Sequence, residues 1–549
     1  MLTDFLKQRL LRGIVRRLNN LRIARVAREV ARCSPRASGA PVAFFKASTG
    51  IDDLSWNSGF HLLASWALRM QGVPIVYFSC RSGMTHCVLG TNRADPHKPP
   101  PCRSCVYQSS ALYEGVEVAD HSGAMASTTE VWWFTYQHDA ALALALENLA
   151  LDQLMDFRFN GMPLGSLCLP GLRWILRRHN FDDDEDTRYL LREYILSAWN
   201  VMQEFTRFLD ATKPRTVVVF NGQFYPEAVA RYVAQQRGLR VITHEVGLQP
   251  ASAFFTDGEA TAYPIHIPDD FELADRHNAR LDAYLEKRFQ GQFSMAGIKF
   301  WPEMRGLDEA FLQRAGGFKQ IVPIFTNVIF DTSQPHANTV FTDMFAWLDS
   351  ILPAMRSHPD TLFVIRAHPD ELRVRKASRE TVAGWVSASG ADKEPNVIFI
   401  GPRESLSSYE LIAKSKFVMV YNSTIGLEAS ILGAAVLCAG RARFTQYPTV
   451  FFPQTVAEQA AALEEFLDAR AIQIPPEFRR NARRFLYYQL FRTSLPFGDF
   501  LTPSVRTTQT RLKPFALDAL SPAKSAAMRA ITQGLLEGGD FLLEEHGGE

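Results

Sequence analysis

The sequence predicts an α/β protein with two doubly wound parallel sheets facing each other across a cleft. Short β-branched runs alternate with helix-period segments twice along the chain, over 41–245 and again over 320–438. Such alternation calls for parallel strands joined by right-handed crossovers. Several of the runs end in small polar turns, and strand ends of an open α/β sheet are where ligands bind. A chain of 549 residues also exceeds one ordinary core, so two domains are expected.

Composition narrows the class. Apolar residues make up 47% of the chain and charged residues 21%, the balance of a globular protein. A net charge of +1 argues against nucleic acid as a partner, because general nucleic-acid binders carry a basic excess. No run reaches the roughly 18 uninterrupted apolar residues of a membrane span. Arginines interrupt the N-terminal apolar residues, so no signal-peptide core forms. Seven cysteines, four of them clustered, fit a reduced cytoplasm with a metal site better than a disulfide scaffold.

The first segment, 1–40, reads as a basic amphipathic helix. Leu6, Leu10, Ile14, Leu18 and Leu21 recur at helical spacing among Lys7, Arg9, Arg12, Arg16, Arg17, Arg22, Arg25 and Arg28. It either packs on the body with a solvated basic face or lies on an anionic membrane surface, peripheral to the inner membrane. Residues 41–317 form the first α/β unit, with strands at 42–45, 73–78, 216–220 and 241–245. A cysteine loop at 80–105 and a helical insertion at 135–211 interrupt it, and an irregular crossover, 247–317, closes it. The second unit, 318–455, is cleaner: strands at 320–325, 362–365, 397–400, 417–421 and 435–438 alternate with helices. A helical segment with a frayed acidic tail, 456–549, completes the chain.

Two segments carry the most chemistry. In Tyr421-Asn422-Ser423-Thr424-Ile425-Gly426-Leu427-Glu428-Ala429 a buried strand turns through polar residues into a helix. Ser423 or Thr424 can cap that helix, or can hold phosphate oxygens together with its first N–H groups. Gly426 permits close backbone approach. Glu428 is either a first-turn acid or a carboxylate for ribose hydroxyls. In Ile365-Arg366-Ala367-His368-Pro369 the proline fixes the strand exit, and His368 can donate to a phosphate or to a departing phosphate oxygen.

Together these segments resemble the capsule and surface polysaccharide biosynthesis glycosyltransferases, the family that includes Kdo-transferring enzymes. Related histidine–proline motifs occur in bacterial sialyltransferases and in glycerophosphate transferases. The resemblance covers roughly 41–452 and implies a GT-B-like fold of two Rossmann-like domains. It implies a nucleotide-sugar donor, CMP-linked and Kdo-like, and a glycan or glycolipid acceptor. By it His368, Pro369, Asn422, Ser423, Thr424 and Gly426 form the donor phosphate site, with Glu428 near the ribose. Thr326, Asn327 and Asp331, after the first strand of the second unit, look like the donor-site loop. A nucleotide-sugar epimerase, a glycerophosphate transferase, and a non-catalytic scaffold of a polysaccharide assembly complex are the alternatives.

Transfer needs a stabilised leaving group and an activated acceptor. His368, helix N–H groups and Arg366 or Arg403 would meet the phosphate charge, so no catalytic metal is expected. Glu245 or Asp53, from the first unit, would be the base or nucleophile, with Glu245 preferred at its strand end. Cys80, Cys87, Cys102 and Cys105, spaced C-x6-C-x14-C-x2-C, suit a structural zinc or an iron–sulfur cluster, with His86 and His97 as alternative ligands.

Overall fold

The computed structural model of the protein describes residues 2–47, 53–119, 129–291, 305–373 and 377–545, with side chains from Leu10 onward. Its thirteen sheet strands are β1 Val42–Lys46, β2 Ile75–Cys80, β3 Glu117–Val118, β4 Glu130–Phe134, β5 Thr216–Phe220, β6 Arg240–Val246, β7 Ser252–Thr256, β8 Gln320–Phe325, β9 Thr361–Arg366, β10 Val397–Ile400, β11 Val418–Val420, β12 Val436–Cys438 and β13 Leu495–Pro496. The N-terminal sheet runs β13-β7-β6-β5-β1-β2-β4-β3, and the C-terminal sheet runs β10-β9-β8-β11-β12. All pairings are parallel except β6–β7 and β7–β13. Helices cover both faces, so β1, β2 and β9 are buried at every residue and read as continuous apolar runs.

The strand orders locate the functional edges. In the N-terminal sheet the chain winds outward from β1 through β2, then returns to place β5 on β1's other side. In the C-terminal sheet β8 is flanked by β9 and β11 in the same way. A crevice opens where the winding reverses, at the carboxyl ends of β1 and β5 and of β8 and β11. The expected α/β class and doubly wound topology are therefore present.

Two predicted segments differ from expectation. The crossover is divided between the units. Residues 252–256 form an antiparallel strand of the N-terminal sheet, whereas the helix Asp275–Phe289 packs in the C-terminal core with Leu281 and Leu285 buried. The predicted helical tail also changes sides. The helices Val456–Asp468 and Pro476–Tyr487 pack on the C-terminal unit. Beyond them β13, a hairpin (β14 Leu501–Pro503, β15 Thr510–Leu512) and the helix Ala526–Leu536 return to the N-terminal core. Apolar burial drives this return: Leu495, Phe497, Phe500, Leu501 and Leu512 all enter that core. Nor is the tail frayed up to residue 545. Phe541 is buried against Gly534, where a Cβ would come within 2.4 Å of its ring, and Leu543 N donates to Arg492 O at 2.8 Å.

The N-terminal helix, Leu2–Cys33, is anchored through Ile23, Ala27 and Val30. Its predicted apolar face points outward instead. Leu10, Leu11, Ile14, Leu18 and Leu21 are exposed by 50% (Ile14) to 69% (Leu10), with Arg17, Arg22, Arg25 and Arg28 exposed beside them. Leu6, Lys7 and Arg9 lie outside the described side chains. Among the described residues no helix is long and apolar enough to cross a membrane.

Candidate functional site

The C-terminal switch point gathers most of the predicted donor residues. The Thr326 N–H and hydroxyl both donate to Arg366 O, at 3.2 and 3.0 Å, locking the end of β8 to that of β9. The Asn422 N–H donates to Asn327 Oδ1 at 3.2 Å, which ties the turn after β11 to the one after β8. Gln334 Nε2 then donates to Asn422 Oδ1 at 3.3 Å. Ser423 is buried and Thr424 half-buried at the start of the helix Ile425–Ile431. Neither hydroxyl caps that helix, so the capping role that could have explained them is not used.

His368 stands at the end of β9 and caps the short turn Pro369–Leu372. Its Nδ1 accepts the Asp370 N–H at 3.1 Å. In the neutral ring this leaves the proton on Nε2, so that nitrogen is the donor. Burial lowers the His368 pKa, Asp370 and Asp331 oppose that, and Arg366 adds to it. Pro369 starts the turn as expected. Arg366 is buried at the end of β9, while Arg403 is exposed.

Across the cleft, Glu245 stands half-buried near the carboxyl end of β6. Its Oε1 accepts from Asn57 Nδ2 and from the Val246 N–H, both at 2.8 Å, and its Oε2 accepts from Asn221 Nδ2 at 3.2 Å. Burial raises its carboxyl above the ordinary range; these three donors oppose the rise and the charge of Asp331 adds to it. Asn221 is held at φ 52°, a left-handed conformation uncommon for a residue other than glycine. Strain of this kind persists where surrounding structure over-determines it and collects at functional sites. Here it aims the amide at Glu245.

Asp331 joins the two halves electrostatically. It is exposed on the loop after β8, and its charge reaches both Glu245 and His368. Tyr263 completes this patch: its hydroxyl donates to Val246 O, and its ring lies under Arg443, 4.1 Å from the guanidinium carbon. An acid from one unit, with a histidine and an acid from the other, therefore share one cleft.

Other candidates occupy different places. Glu428 is buried, with Oε1 accepting from Arg288 at 2.6 Å and Oε2 from the Tyr409 hydroxyl. It ties the crossover helix to the C-terminal core. Asp53 is buried too. Asn19 Nδ2 donates to its Oδ1 at 3.0 Å and the Ser504 hydroxyl to its Oδ2 at 3.1 Å, so it fastens the N-terminal helix and the C-terminal hairpin. Gly426 serves packing: a Cβ there would sit 2.9 Å from Val420 Cγ2 and 3.1 Å from Phe444 Cζ. His244, next to Glu245, is turned into the core against His61, where burial and nearby Lys46 push its pKa down to about 3.

The four cysteines converge on one pocket, lined by Cys80, Cys87, Cys102 and Cys105. Among the described residues no three His, Cys, Asp or Glu side chains are grouped to hold one ion. His86 and His97 pair instead with Glu193, at 3.5 Å, and Asp186, at 3.4 Å.

An inter-unit clasp escaped sequence reading. His336, after β8, meets Glu259 at 3.0 Å, the Thr261 hydroxyl at 2.8 Å and Gln223 Nε2 at 3.2 Å, and Arg231 also pairs with Glu259. Burial works against ionisation of Glu259, but His336 and Arg231 outweigh it and hold the carboxyl down at about 2. The only signal available was polar residues on either side of the crossover, which any surface loop also shows.

Two doubly wound units with facing switch points constitute the GT-B architecture, mixed α/β with parallel sheets. Residues 303–448, the stretch holding the histidine–proline turn and the Ser/Thr turn, match the family described as capsule polysaccharide biosynthesis protein. Protein FixF of Sinorhizobium fredii is 26% identical over 308 residues, covering 55% of this chain and 65% of FixF. The chain thus spans just under two thirds of that relative. Among solved structures, the β-Kdo 2,4 transferase KpsC of Thermosulfurimonas dismutans is 12% identical, covering 51% of this chain and 80% of its own, with a TM-score of 0.33. The UDP-GlcNAc 2-epimerase of Neisseria meningitidis is 16% identical, covering 53% and 80%, with a TM-score of 0.25.

Proposed function

We propose that this protein is a glycosyltransferase that moves a sugar from a nucleotide-activated donor, CMP-linked and Kdo-like, to a surface glycan or glycolipid. The observation that carries this reading is the shared cleft: Glu245 on one unit, His368 and Asp331 on the other, and an uncapped Ser423-Thr424 turn at the C-terminal switch point. The hydroxyls of Ser423 and Thr424 and the Nε2–H of His368 bind the donor phosphate. That hydrogen bonding stabilises charge as the sugar–phosphate bond breaks. Glu245, ionised and partly desolvated, takes the proton of the acceptor hydroxyl. Asn57 and Asn221 hold its carboxylate in place.

Nucleotide binding tests this. CMP at about 100 times its Kd should stabilise the protein by about 2.7 kcal/mol, with UDP and GDP giving much smaller thermal shifts. Ser423→Ala removes a hydrogen bond to a charged group worth about 1.5–3 kcal/mol, and His368→Ala should weaken CMP in the same range. Equal shifts with every nucleotide, or none, would sink the reading. Conversion of a nucleotide sugar with no acceptor present would mark an epimerase instead.

The acceptor is on a lipid surface in this reading, because the N-terminal helix carries its leucines outward beside arginines. Such a face buries apolar area in the headgroup region and attracts anionic lipid. Ile14→Asp with Leu18→Asp should reduce co-sedimentation with phosphatidylglycerol-containing vesicles at least tenfold, since each buried side chain is worth about 1.5–3 kcal/mol. Equal binding by wild type and variant would rule out this face.

A further inference from the structure

Three arginines from separate stretches meet where the two units touch. Arg93 lies in the loop after β2 and Arg177 caps the helix Leu164–Leu176, both in the N-terminal unit. Arg379 follows the turn at His368 in the C-terminal unit. The Arg379 N–H donates to Arg177 O at 2.8 Å, and its Nη2 donates to Arg93 O at 3.5 Å. Two aromatic rings complete the set. Phe330, on the loop after β8, lies 4.7 Å from the Arg177 guanidinium carbon, and Trp174 lies 4.2 Å from it and 5.7 Å from that of Arg93. Exposure falls along the arginines, from Arg379 at the surface through half-buried Arg93 to buried Arg177.

Arg177 is the innermost of them. It is 2% exposed, and its Nε and Nη1 make no hydrogen bond among the described residues. Cation–π contact with the two rings engages the charge of the guanidinium. It leaves these N–H donors unsatisfied, which buried polar groups rarely are. The residue also sits at φ 62°, a left-handed conformation that favours glycine. The helix thus ends in a strained residue that carries a long cationic side chain into the seam.

The charge that reaches Arg177 is that of another cation. Burial, with Arg93 adding to it, pushes the Arg177 pKa down to about 9. Burial and Arg379 lower that of Arg93, with Tyr194 opposing. The acids nearby are held elsewhere. Glu380 accepts from the N–H groups of His179 and Asn180, at 2.8 and 3.1 Å, and from Asn180 Nδ2 at 2.7 Å, while Asp182 pairs with Arg178. A buried cation without a counter-charge is costly, so the set calls for an anion. Guanidinium donors match phosphate oxygens in number and geometry, and a dianion answers several cations better than a monoanion does.

We propose that Arg93, Arg177 and Arg379 bind a phosphate group at the seam between the units, with Trp174 and Phe330 holding the innermost guanidinium. Because the arginines come from both units, a phosphate held by all three ties the units together. Phe330 directly precedes Asp331, so the site flanks the cleft. Arg379 follows β9 and Ser423 follows β11, and β8 lies between those strands. The site is therefore separate from the Ser423-Thr424 turn. That this second phosphate is carried by the acceptor rests on the transferase reading; the binding of phosphate does not.

Calorimetric titration of the full chain at constant ionic strength tests this. Inorganic phosphate and a sugar 1-phosphate should each bind saturably, and acetate should not. Arg379→Met changes an exposed side chain, so the fold should survive it. This variant should weaken both ligands at least tenfold, the usual effect of losing a charge-assisted hydrogen bond, and leave CMP binding unchanged. Ser423→Ala should weaken CMP and spare the sugar phosphate. Tighter binding of the sugar phosphate than of inorganic phosphate marks a group carried on a glycan, and the reverse order marks the free ion. No saturable phosphate binding, or equal binding by Arg379→Met, would overturn the site. So would displacement of the sugar phosphate by CMP, which would make the arginines part of the donor site. Phosphate binding without any CMP binding would remove the transferase reading and leave this site standing.

Discussion

Replacing Glu245 with glutamine should lower the rate of sugar transfer by about 10²–10⁴-fold, the usual contribution of a positioned general base. Donor binding should change little, because the residue lies on the N-terminal unit and the phosphate turn on the other. The deficit therefore belongs in kcat rather than in the affinity for CMP. The pH profile gives a second readout. Glu245 accepts a proton only when ionised, and burial raises its pKa, so the acidic limb should lie above the ordinary glutamate value of about 4.3. Asp331 contributes to that rise across the cleft. Asp331→Asn should consequently move the limb to lower pH. A wild-type rate in Glu245→Gln would remove this residue from the chemistry, and an unmoved limb in Asp331→Asn would mean that the two units do not share charge in solution.

Substituting Glu428 with alanine should cost about 3–5 kcal/mol, the penalty for breaking a buried ion pair from one side, on the order of 10 °C in Tm. Arg288 would keep its buried guanidinium without the carboxylate that meets it at 2.6 Å, and Tyr409 would lose its acceptor. Thermal denaturation read alongside CMP titration separates this role from a ribose contact. A structural tie lowers Tm and leaves Kd for CMP nearly unchanged, whereas a ribose ligand weakens CMP with Tm intact. Pairing Glu428→Leu with Arg288→Met should recover much of the stability, because apolar replacement of both partners removes the desolvation cost.

The geometry of the C-terminal switch point was legible because each of its parts is local. A buried β-branched run followed by small polar residues marks a strand end, and β8, β9 and β11 end where those runs stop. Thr326, Asn327, His368, Asn422 and Ser423 then come together because parallel strands bring their carboxyl ends to one edge. The partners of Glu428 and Asp53 were not legible, for a shared reason. Glu428 pairs with Arg288, 140 residues away, and Asp53 accepts from Ser504, 451 residues away. A carboxylate's role depends on which donors reach it, and these donors follow from packing rather than from neighbouring residues. The return of residues 495–545 to the N-terminal unit was hidden similarly, since apolar residues at 495–512 show that they will be buried without showing where.

By itself the sequence determined the two alternating α/β units, the polar strand ends, the set of four cysteines and the Leu-Arg pattern of the first helix. These are periodicities and spacings, set by local backbone geometry. Only the tertiary structure decided which acids stay open to the cleft and which are spent on internal ties. It also decided that the leucines of the first helix face outward and that the four cysteines line one pocket. The physical reason is the same throughout: burial, charge and distance between groups far apart in the chain exist only once the two sheets have packed.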